Sequence, residues 1–269
     1  MPSDLTVPEL NYQEETERIL NFIRDQVNAA NAAGVVVGLS GGVDSSLVAT
    51  LCVQAITKEN VLGVLMPTSF TPYRDNEDAK LLAHQLGIRT KFVNIDRISR
   101  CFFEDLDINP DDPATKMPMA NIRARIRMVI LYYYANRYNY LVAGTGDRSE
   151  SLIGFFTKYG DGGADFMPIA HLYKTQVRKL ARYLGIPERI VSKPSSPQLY
   201  PGHVATDEIP IDYDDLDKIL FGIFDCKLTP LEVNRLTGYS IDVVNEIIER
   251  FEKSKHKRAL PPGLVSLLL

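Results

Sequence analysis

The chain is poor in cysteine. Cys52, Cys101 and Cys226 are the only 3 in 269 residues, and no two stand close together. This spacing excludes a C-x-x-C pair for zinc, an iron–sulfur cluster or dithiol redox work, and reads as reduced thiols of a cytoplasmic protein. Charge of one sign is also scarce: 30 Lys and Arg against 34 Asp and Glu leave a formal net charge of −4. No overall attraction to nucleic acid or to an anionic membrane is therefore expected, although a local basic site is compatible with that balance. No run approaches the roughly 20 apolar residues that span a bilayer. Met1-Pro2-Ser3-Asp4 lacks the basic and apolar segments of a secretory signal. The last six residues, Leu264-Val265-Ser266-Leu267-Leu268-Leu269, are apolar but too short to span, and are expected to dock on the chain's own surface or on a partner subunit.

What remains is an ordinary globular composition, 45% hydrophobic and 24% charged, enough for one substantial core. Apolar runs at 35–39, 61–65, 91–95 and 140–143 read as strands, with helical patterns between them at 44–57, 75–86 and 118–138. Such alternation predicts an α/β fold, a doubly wound parallel sheet with helices on both faces, and ligands beyond the carboxyl ends of the strands. An opening helix over 12–31 carries Ile19, Leu20, Ile23 and Val27 on one face, which can cover the sheet or a second subunit. Beyond residue 145 the pattern turns to glycine-rich loops and helices at 173–184, 213–221, 230–237 and 241–254. We read residues 1–269 as one domain: opening helix, α/β core over 35–192, a loop at 194–210 and a helical C-terminal part over 211–269. That loop holds Pro194, Pro197, Pro201 and Pro210 without apolar periodicity and is expected to act as a lid.

The most informative stretch is Gly38-Leu39-Ser40-Gly41-Gly42-Val43-Asp44-Ser45-Ser46, directly after Val35-Val36-Val37. A strand breaks into a glycine turn and restarts as a helix, whose first N–H groups lack intrahelical partners and favour a multiply charged anion. No Gly-Lys-Ser/Thr follows, so this is not a Walker A loop. Ser40, Ser45 and Ser46 can donate to phosphate, whereas Asp44 would repel it unless a hard cation stood between them, which suggests Mg-ATP. A serine-capped helix after a buried strand is the plain alternative.

Three further segments carry chemistry. In Asn121-Ile122-Arg123-Ala124-Arg125-Ile126-Arg127-Met128, a step of about 100° puts Arg123 and Arg127 on one face. Arg125 then lies opposite, among Ile122, Met128, Val129 and Tyr132, where it needs an anionic partner. Gly144-Thr145-Gly146-Asp147-Arg148-Ser149-Glu150 follows the last strand. It reads equally as a capped helix start and as a second ligand-contacting turn, with Glu150 an oxygen donor to magnesium. Gly154-Phe155-Phe156-Thr157-Lys158-Tyr159-Gly160-Asp161-Gly162-Gly163-Ala164-Asp165 crowds glycines, carboxylates, a lysine and aromatics into one loop.

The first loop resembles the signature of the ATP pyrophosphatases. Together with the run at 154–165, the chain resembles the ammonia-dependent NAD synthetases over most of residues 12–260. The resemblance implies the adenine nucleotide α-hydrolase-like fold and amidation of deamido-NAD by ammonia with ATP, through an adenylated nicotinate carboxylate, giving NAD, AMP and pyrophosphate. It places ATP contacts on Gly38, Leu39, Ser40, Gly41, Gly42, Val43, Asp44 and Ser45, with Thr145, Lys174 and Ser196. Magnesium falls on Asp44 and Glu150, and deamido-NAD on Arg125, Lys158, Asp165, His256 and Lys257. Asp44, Lys174 and Asp165 are the expected catalytic residues, with Asp165 expected to orient or deprotonate ammonium. Lys255-His256-Lys257-Arg258 would otherwise be a solvated helix end. Relatives often carry an aromatic at the position of Gln26 and an arginine at that of Leu65, and residues 145–149 follow their Thr-Gly-Asn-Arg-Ser type.

The resemblance also implies a homodimer, with the opening helix and the helix at 118–138 as candidate contacts, and free or separately delivered ammonia, since only about 34 residues precede the first strand. Two other readings fit less well. A tRNA-thiolating enzyme of the same fold would need working cysteines and a basic RNA face. A nucleotide sensor would not need both magnesium carboxylates and a second, dinucleotide-shaped set of contacts.

Overall fold

The computed structural model describes residues 5–263, so the apolar run 264–269 lies outside the described residues. Along the chain the elements are α1 (Tyr12–Ala29), β1 (Gly34–Gly38), α2 (Val43–Ile56), β2 (Val61–Leu65), α3 (Tyr73–Leu86), β3 (Arg89–Phe92), α4 (Asp96–Asp105), α5 (Lys116–Tyr138) and β4 (Tyr140–Ala143). Then follow α6 (Arg148–Ile153), α7 (Lys174–Tyr183), α8 (Glu188–Val191), α9 (Tyr213–Phe224), α10 (Pro230–Thr237) and α11 (Ile241–Lys253).

The four strands form one parallel sheet in the order β3-β2-β1-β4. Side chains alternate across a strand, so Val35 and Val37 enter the core under α1, α2 and α7, while Val36 enters the opposite core under α5 with Leu62, Val64 and Val142. Burial on both faces is why β1 and β2 are continuously apolar. The edge strand β3 escapes this demand. Its four residues are exposed, and its register, Leu62 with Arg89 to Leu65 with Phe92, begins two residues before the apolar run that marked it in sequence.

The apolar face of α1, Ile19, Leu20, Ile23 and Val27, joins the chain's own core beside α2. Each such side chain contributes roughly 1.5–3 kcal/mol on burial, so the choice left open between sheet and second subunit falls to the sheet. A separate core centred on Leu216, Ile219, Leu220, Val233, Val244 and Ile247 builds the helical C-terminal part. Gly154 joins that part to the rest: in a left-handed conformation (φ +69°), it lies so close to Ser254 that a Cβ would fall 2.1 Å from the serine Cβ.

The loop at 194–210 contains one short 3-10 turn, Ala205–Asp207. The helices α4 and α8 did not announce themselves in the sequence, whereas the short α6 starts at the capped helix start read over 144–150, with Asp147 as its cap. In α4 only Ser99 is buried, and Ile98 and Phe102, which share a face at a four-residue step, are both more than one-third exposed, so the stripe they form covers little core. Among the described residues, no helix is long and apolar enough to cross a membrane.

Candidate active site

β1 delivers its glycine turn to the carboxyl edge of the sheet. Gly41 adopts φ +79°, and a Cβ there would lie 2.2 Å from the Asp75 carbonyl oxygen, so the position admits only glycine. Gly42 caps α2 without a side-chain hydrogen bond, leaving the helix start open to an anion. The turn holds itself in shape through hydroxyls: Ser40 and Ser45 Oγ lie 3.0 Å apart, Ser45 and Ser46 donate to the Gly42 carbonyl, and Gly42 N–H donates to Ser40 Oγ at 3.2 Å.

Facing this turn is one fully buried lysine. Lys174 Nζ lies 2.7 Å from Asp44 Oδ1, 2.9 Å from Asp147 Oδ2 and 2.9 Å from Glu150 Oε1. Three elements aim it: Asp44 stands in the first turn of α2, Asp147 caps α6 by accepting from Glu150 N, and Lys174 opens α7. The start of α7 is held in turn by Asp217 of α9, which accepts from Thr175 N at 2.8 Å and from Ser149 Oγ at 2.5 Å, while Ser149 Oγ accepts from Lys174 N. Burial alone would strip the Lys174 proton, but Asp147, Asp44 and Glu150 hold its ammonium charged well above the usual range. Burial and the neighbouring Asp147 push the Glu150 carboxyl up, since three carboxylates cannot all ionise around one cation.

Asp44 and Glu150 supply the hard oxygens Mg²⁺ prefers, and both side chains remain partly open, at 23% and 21% exposure. Among the described residues, no group of three His, Cys, Asp or Glu side chains could hold a metal. A cation here must therefore borrow phosphate oxygens, which fits Mg²⁺ arriving with a nucleotide.

The cluster opens into a cavity of about 1210 Å³ between the turn, α3, α5, the end of β4 and residues 192–204. Gly38, Leu39, Ser40, Gly42, Val43, Asp44, Ser45, Thr145, Glu150 and Ser196 line it. Gly41 and the fully buried Lys174 are not among the residues that line it; the Gly41 carbonyl accepts from Lys193 Nζ at 2.8 Å. Ser196 Oγ donates within its own loop to the His203 carbonyl. Leu65 is buried in the core.

The arginines of α5 divide as the helical periodicity requires, yet the buried side is the other one. Arg127 points inward, donating to the carbonyls of Met66 at 3.2 Å and Gln198 at 3.4 Å, and burial lowers it to about 10. Arg123 sits between the rings of Phe70 and Phe103 and donates to the Leu199 carbonyl at 2.8 Å. Arg125 is exposed instead of lying on a buried apolar face. The reason is that Val129 and Tyr133, which continue its stripe at four-residue steps, are themselves exposed.

The remaining expected residues gather around the loop at 154–165, apart from the cavity lining. Arg125 donates to the Lys158 carbonyl at 3.3 Å, Lys158 Nζ to the His256 carbonyl at 2.7 Å, and Lys257 Nζ to the carbonyls of Gly154 and Phe156 at 2.8 Å. Asp165 accepts from Val142 N at 2.7 Å and Tyr132 OH at 3.0 Å. The loop is thus a partition, with Phe155, Gly160, Asp161 and Gly163 turned to the cavity and Lys158 bound to the C-terminal helical part. Asp161 is the carboxylate of this loop that reaches the cavity. One oxygen accepts from Thr157 N, and the surrounding protein raises its pKa. Sequence reasoning passed over Arg127, Asp147 and Asp161 as functional groups. Asp161 was readable in principle, flanked as it is by glycines that let the backbone approach a ligand.

Comparison with known proteins agrees with this geometry. A family model described as NAD synthase matches residues 15–261. The curated NH(3)-dependent NAD(+) synthetases of Staphylothermus marinus and Hyperthermus butylicus are each 48% identical over 256 residues, covering 93% and 95% of this chain and 90% and 91% of theirs. Among solved structures, an NMN synthetase from Francisella tularensis superposes with a TM-score of 0.82 at 29% identity, and an NH3-dependent NAD synthetase from Campylobacter jejuni with 0.77 at 33%. Each comparison covers 95% of this chain and 99% of the solved one. A match over nearly the whole chain, on the fold and motifs described above, shows that the chain belongs to the NAD synthase family.

Proposed function

We infer that the chain is a C–N bond-forming ligase making NAD from deamido-NAD, ATP and ammonia. The observation that carries this reading is Lys174 buried between Asp44, Asp147 and Glu150 beneath a glycine turn, in a chain nearly half identical to ammonia-dependent synthetases. ATP would occupy the large cavity, with its phosphates on the turn from Gly38 to Ser45 and near Thr145 and Ser196. The nicotinate ribotide would approach from the side of Arg125, Lys158, Asp165, His256 and Lys257. The partition loop is where the two substrates would meet.

A nicotinate carboxylate oxygen attacks the α-phosphorus, and the bond to the β-phosphate oxygen breaks, releasing pyrophosphate. Lys174 stabilises the charge that develops on the leaving group. Ammonia nitrogen then attacks the acyl carbon, AMP leaves with the bonding oxygen, and the new amide sheds a proton. Asp161 can take that proton, because its residue lines the cavity, whereas Asp165 does not and its oxygens hold Val142 N and Tyr132 OH. Asp44 and Glu150 would hold Mg²⁺, which when bound neutralises phosphate charge. The loop at 194–210, whose residues up to Val204 wall the cavity, would serve as the lid.

The exposed stripe Arg125, Val129 and Tyr133 on α5 supports a homodimer whose deamido-NAD site lies at the interface. Three free thiols support a reducing, cytoplasmic setting. The structural likeness to an NMN synthetase favours a second reading, amidation of nicotinate mononucleotide. Purified protein with MgATP and ammonium, offered deamido-NAD or nicotinate mononucleotide, should yield NAD, AMP and pyrophosphate in equal amounts from the dinucleotide. Preference for the mononucleotide would establish the second reading, and no product from either would defeat both.

A further inference from the structure

Lys193 stands at the base of the lid loop, next to Pro194, and spends all three ammonium protons within the protein. Its Nζ donates to the Gly41 carbonyl at 2.8 Å, to Asp75 Oδ1 at 2.5 Å and to Asp78 Oδ2 at 2.9 Å. Asp75 and Asp78 lie three residues apart on one face of α3. They are only 7% and 6% exposed, and their other oxygens bind the same stretch of chain: Gln198 Nε2 donates to Asp75 Oδ2 at 2.5 Å and Arg189 Nε to Asp78 Oδ1 at 2.7 Å. Both buried carboxylates of α3 are thus committed to residues 189–198.

The contact with Gly41 has a direct effect on the phosphate loop. A planar trans peptide points its C=O and N–H in opposite directions. With the Gly41 carbonyl bound to Lys193, the Gly42 N–H is directed to the opposite side of the peptide, where it donates to Ser40 Oγ. Gly41 has no side chain to fix this plane, and its left-handed conformation is open to several alternatives. Steric contact with the Asp75 backbone restricts the position of Gly41 without orienting its peptide.

We propose that Lys193 is a positioning residue for ATP: it clamps the 41–42 peptide so that Gly42 N–H holds Ser40 Oγ in place in the phosphate turn, and it binds the base of the lid to that loop through Asp75 and Asp78. The proposal rests on the reading of the cavity as the nucleotide site. Lys193 touches no reacting atom. It acts through Gly41 on one substrate, so its removal should separate ATP from deamido-NAD in the kinetics.

The test compares the full-length wild type with Lys193→Gln and Lys193→Arg by calorimetric titration with MgATP and with pyrophosphate, and by steady-state kinetics. Lys193→Gln should raise the Kd and KM for ATP about tenfold, the loss expected for a charged hydrogen bond, and leave KM for deamido-NAD within about twofold. Lys193→Arg, which keeps a cationic donor against Asp75 and Asp78, should recover most of the affinity. An unchanged ATP affinity in Lys193→Gln, or equal rises in KM for both substrates, would overturn the clamp. Should Lys193→Gln fail to fold, Asp75→Asn takes its place. It weakens the grip while keeping its shape and should raise KM for ATP about threefold, and no rise would overturn the proposal. Failure of the wild type to bind MgATP would instead overturn the nucleotide reading, and the clamp with it.

Discussion

Lys174 Nζ sits 2.7 Å from Asp44 Oδ1 with its side chain wholly out of reach of solvent. A buried ammonium is tolerable only because carboxylates surround it, and those carboxylates are tolerable only because of the ammonium. Removing the lysine should therefore harm both stability and catalysis. Lys174→Met is expected to lose about 3–5 kcal/mol of stability, the range for a broken buried ion pair, and more than about 10³-fold in kcat. Millimolar Mg²⁺ should recover part of the lost stability by taking over Asp44 and Glu150, while the wild type without nucleotide responds little. Thermal melts with and without Mg²⁺ check this, and an equal Mg²⁺ effect on both proteins would argue against those two carboxylates as the metal site.

Asp44→Asn separates the two roles. Lys174 keeps Asp147 and Glu150, and Asp44 is the most exposed of the three carboxylates, so the fold should survive with a loss below about 1 kcal/mol. Activity should fall at least about 10²-fold, with the Mg²⁺ concentration for half-maximal rate displaced upward. Denaturant melts paired with a Mg²⁺ titration of rate measure both quantities.

The contrast between Asp44 and the arginines of α5 shows which parts of this protein its sequence discloses. The glycine turn is a local constraint: Gly41 needs φ +79° and Gly42 an open helix start, and both needs are written in adjacent residues. Strands β1 and β2 are similarly legible because burial on two faces demands unbroken apolar runs. The orientation of α5 is not local. Periodicity correctly grouped Arg123 with Arg127 against Arg125, but which group faces inward depends on Met66, Gln198 and Leu199, up to 76 residues away. Lys193 and Asp75, separated by 118 positions, are invisible for the same reason.

The two aspartates of the partition loop should respond differently to amide substitution. Asp165 is held by Val142 N and Tyr132 OH, so Asp165→Asn must turn its oxygen to Val142 N and its NH2 to the Tyr132 oxygen, exchanging two charge-assisted hydrogen bonds for neutral ones, and should cost about 1 kcal/mol of stability. Asp161→Asn removes the carboxylate that reaches the cavity and should lower kcat with ammonium about 10²-fold with a small change in melting temperature. Burial raises the Asp161 pKa, and a base must be ionised to act, so the wild-type rate should climb with pH through that raised value. The same limb should be missing in the variant. A profile unchanged in shape would remove Asp161 from the proton path.

Arg125 tests the second substrate. Its guanidinium is exposed on α5 beside Lys158, outside the ATP cavity. Arg125→Ala should raise KM for deamido-NAD about 10–100-fold, the loss of one charge-assisted contact, and leave KM for ATP within about twofold. Initial rates with each substrate varied in turn distinguish this from a general loss of fold.

Asp217 makes a prediction about pH, because it supports the start of α7 from within the protein. Burial raises its carboxyl to about 6, against the hydrogen bonds from Ser149 and Thr175 N that favour ionisation. An acid whose folded pKa exceeds its unfolded value of 3.8 binds more protons in the native state between those two values. Its contribution to stability is therefore complete below pH 3.8 and declines as pH rises toward about 6, by roughly 3 kcal/mol over the interval. Asp217→Asn keeps the side-chain shape and does not titrate. Relative to the wild type, this variant should look less stable near pH 4 than near pH 7, where the wild type bears the full cost of a buried carboxylate. Urea melts of the two proteins from pH 4 to 7 measure the difference. A constant gap would mean that Ser149 and Thr175 hold Asp217 ionised throughout, so that its charge aligns the amides leading into Lys174 at no expense that depends on pH.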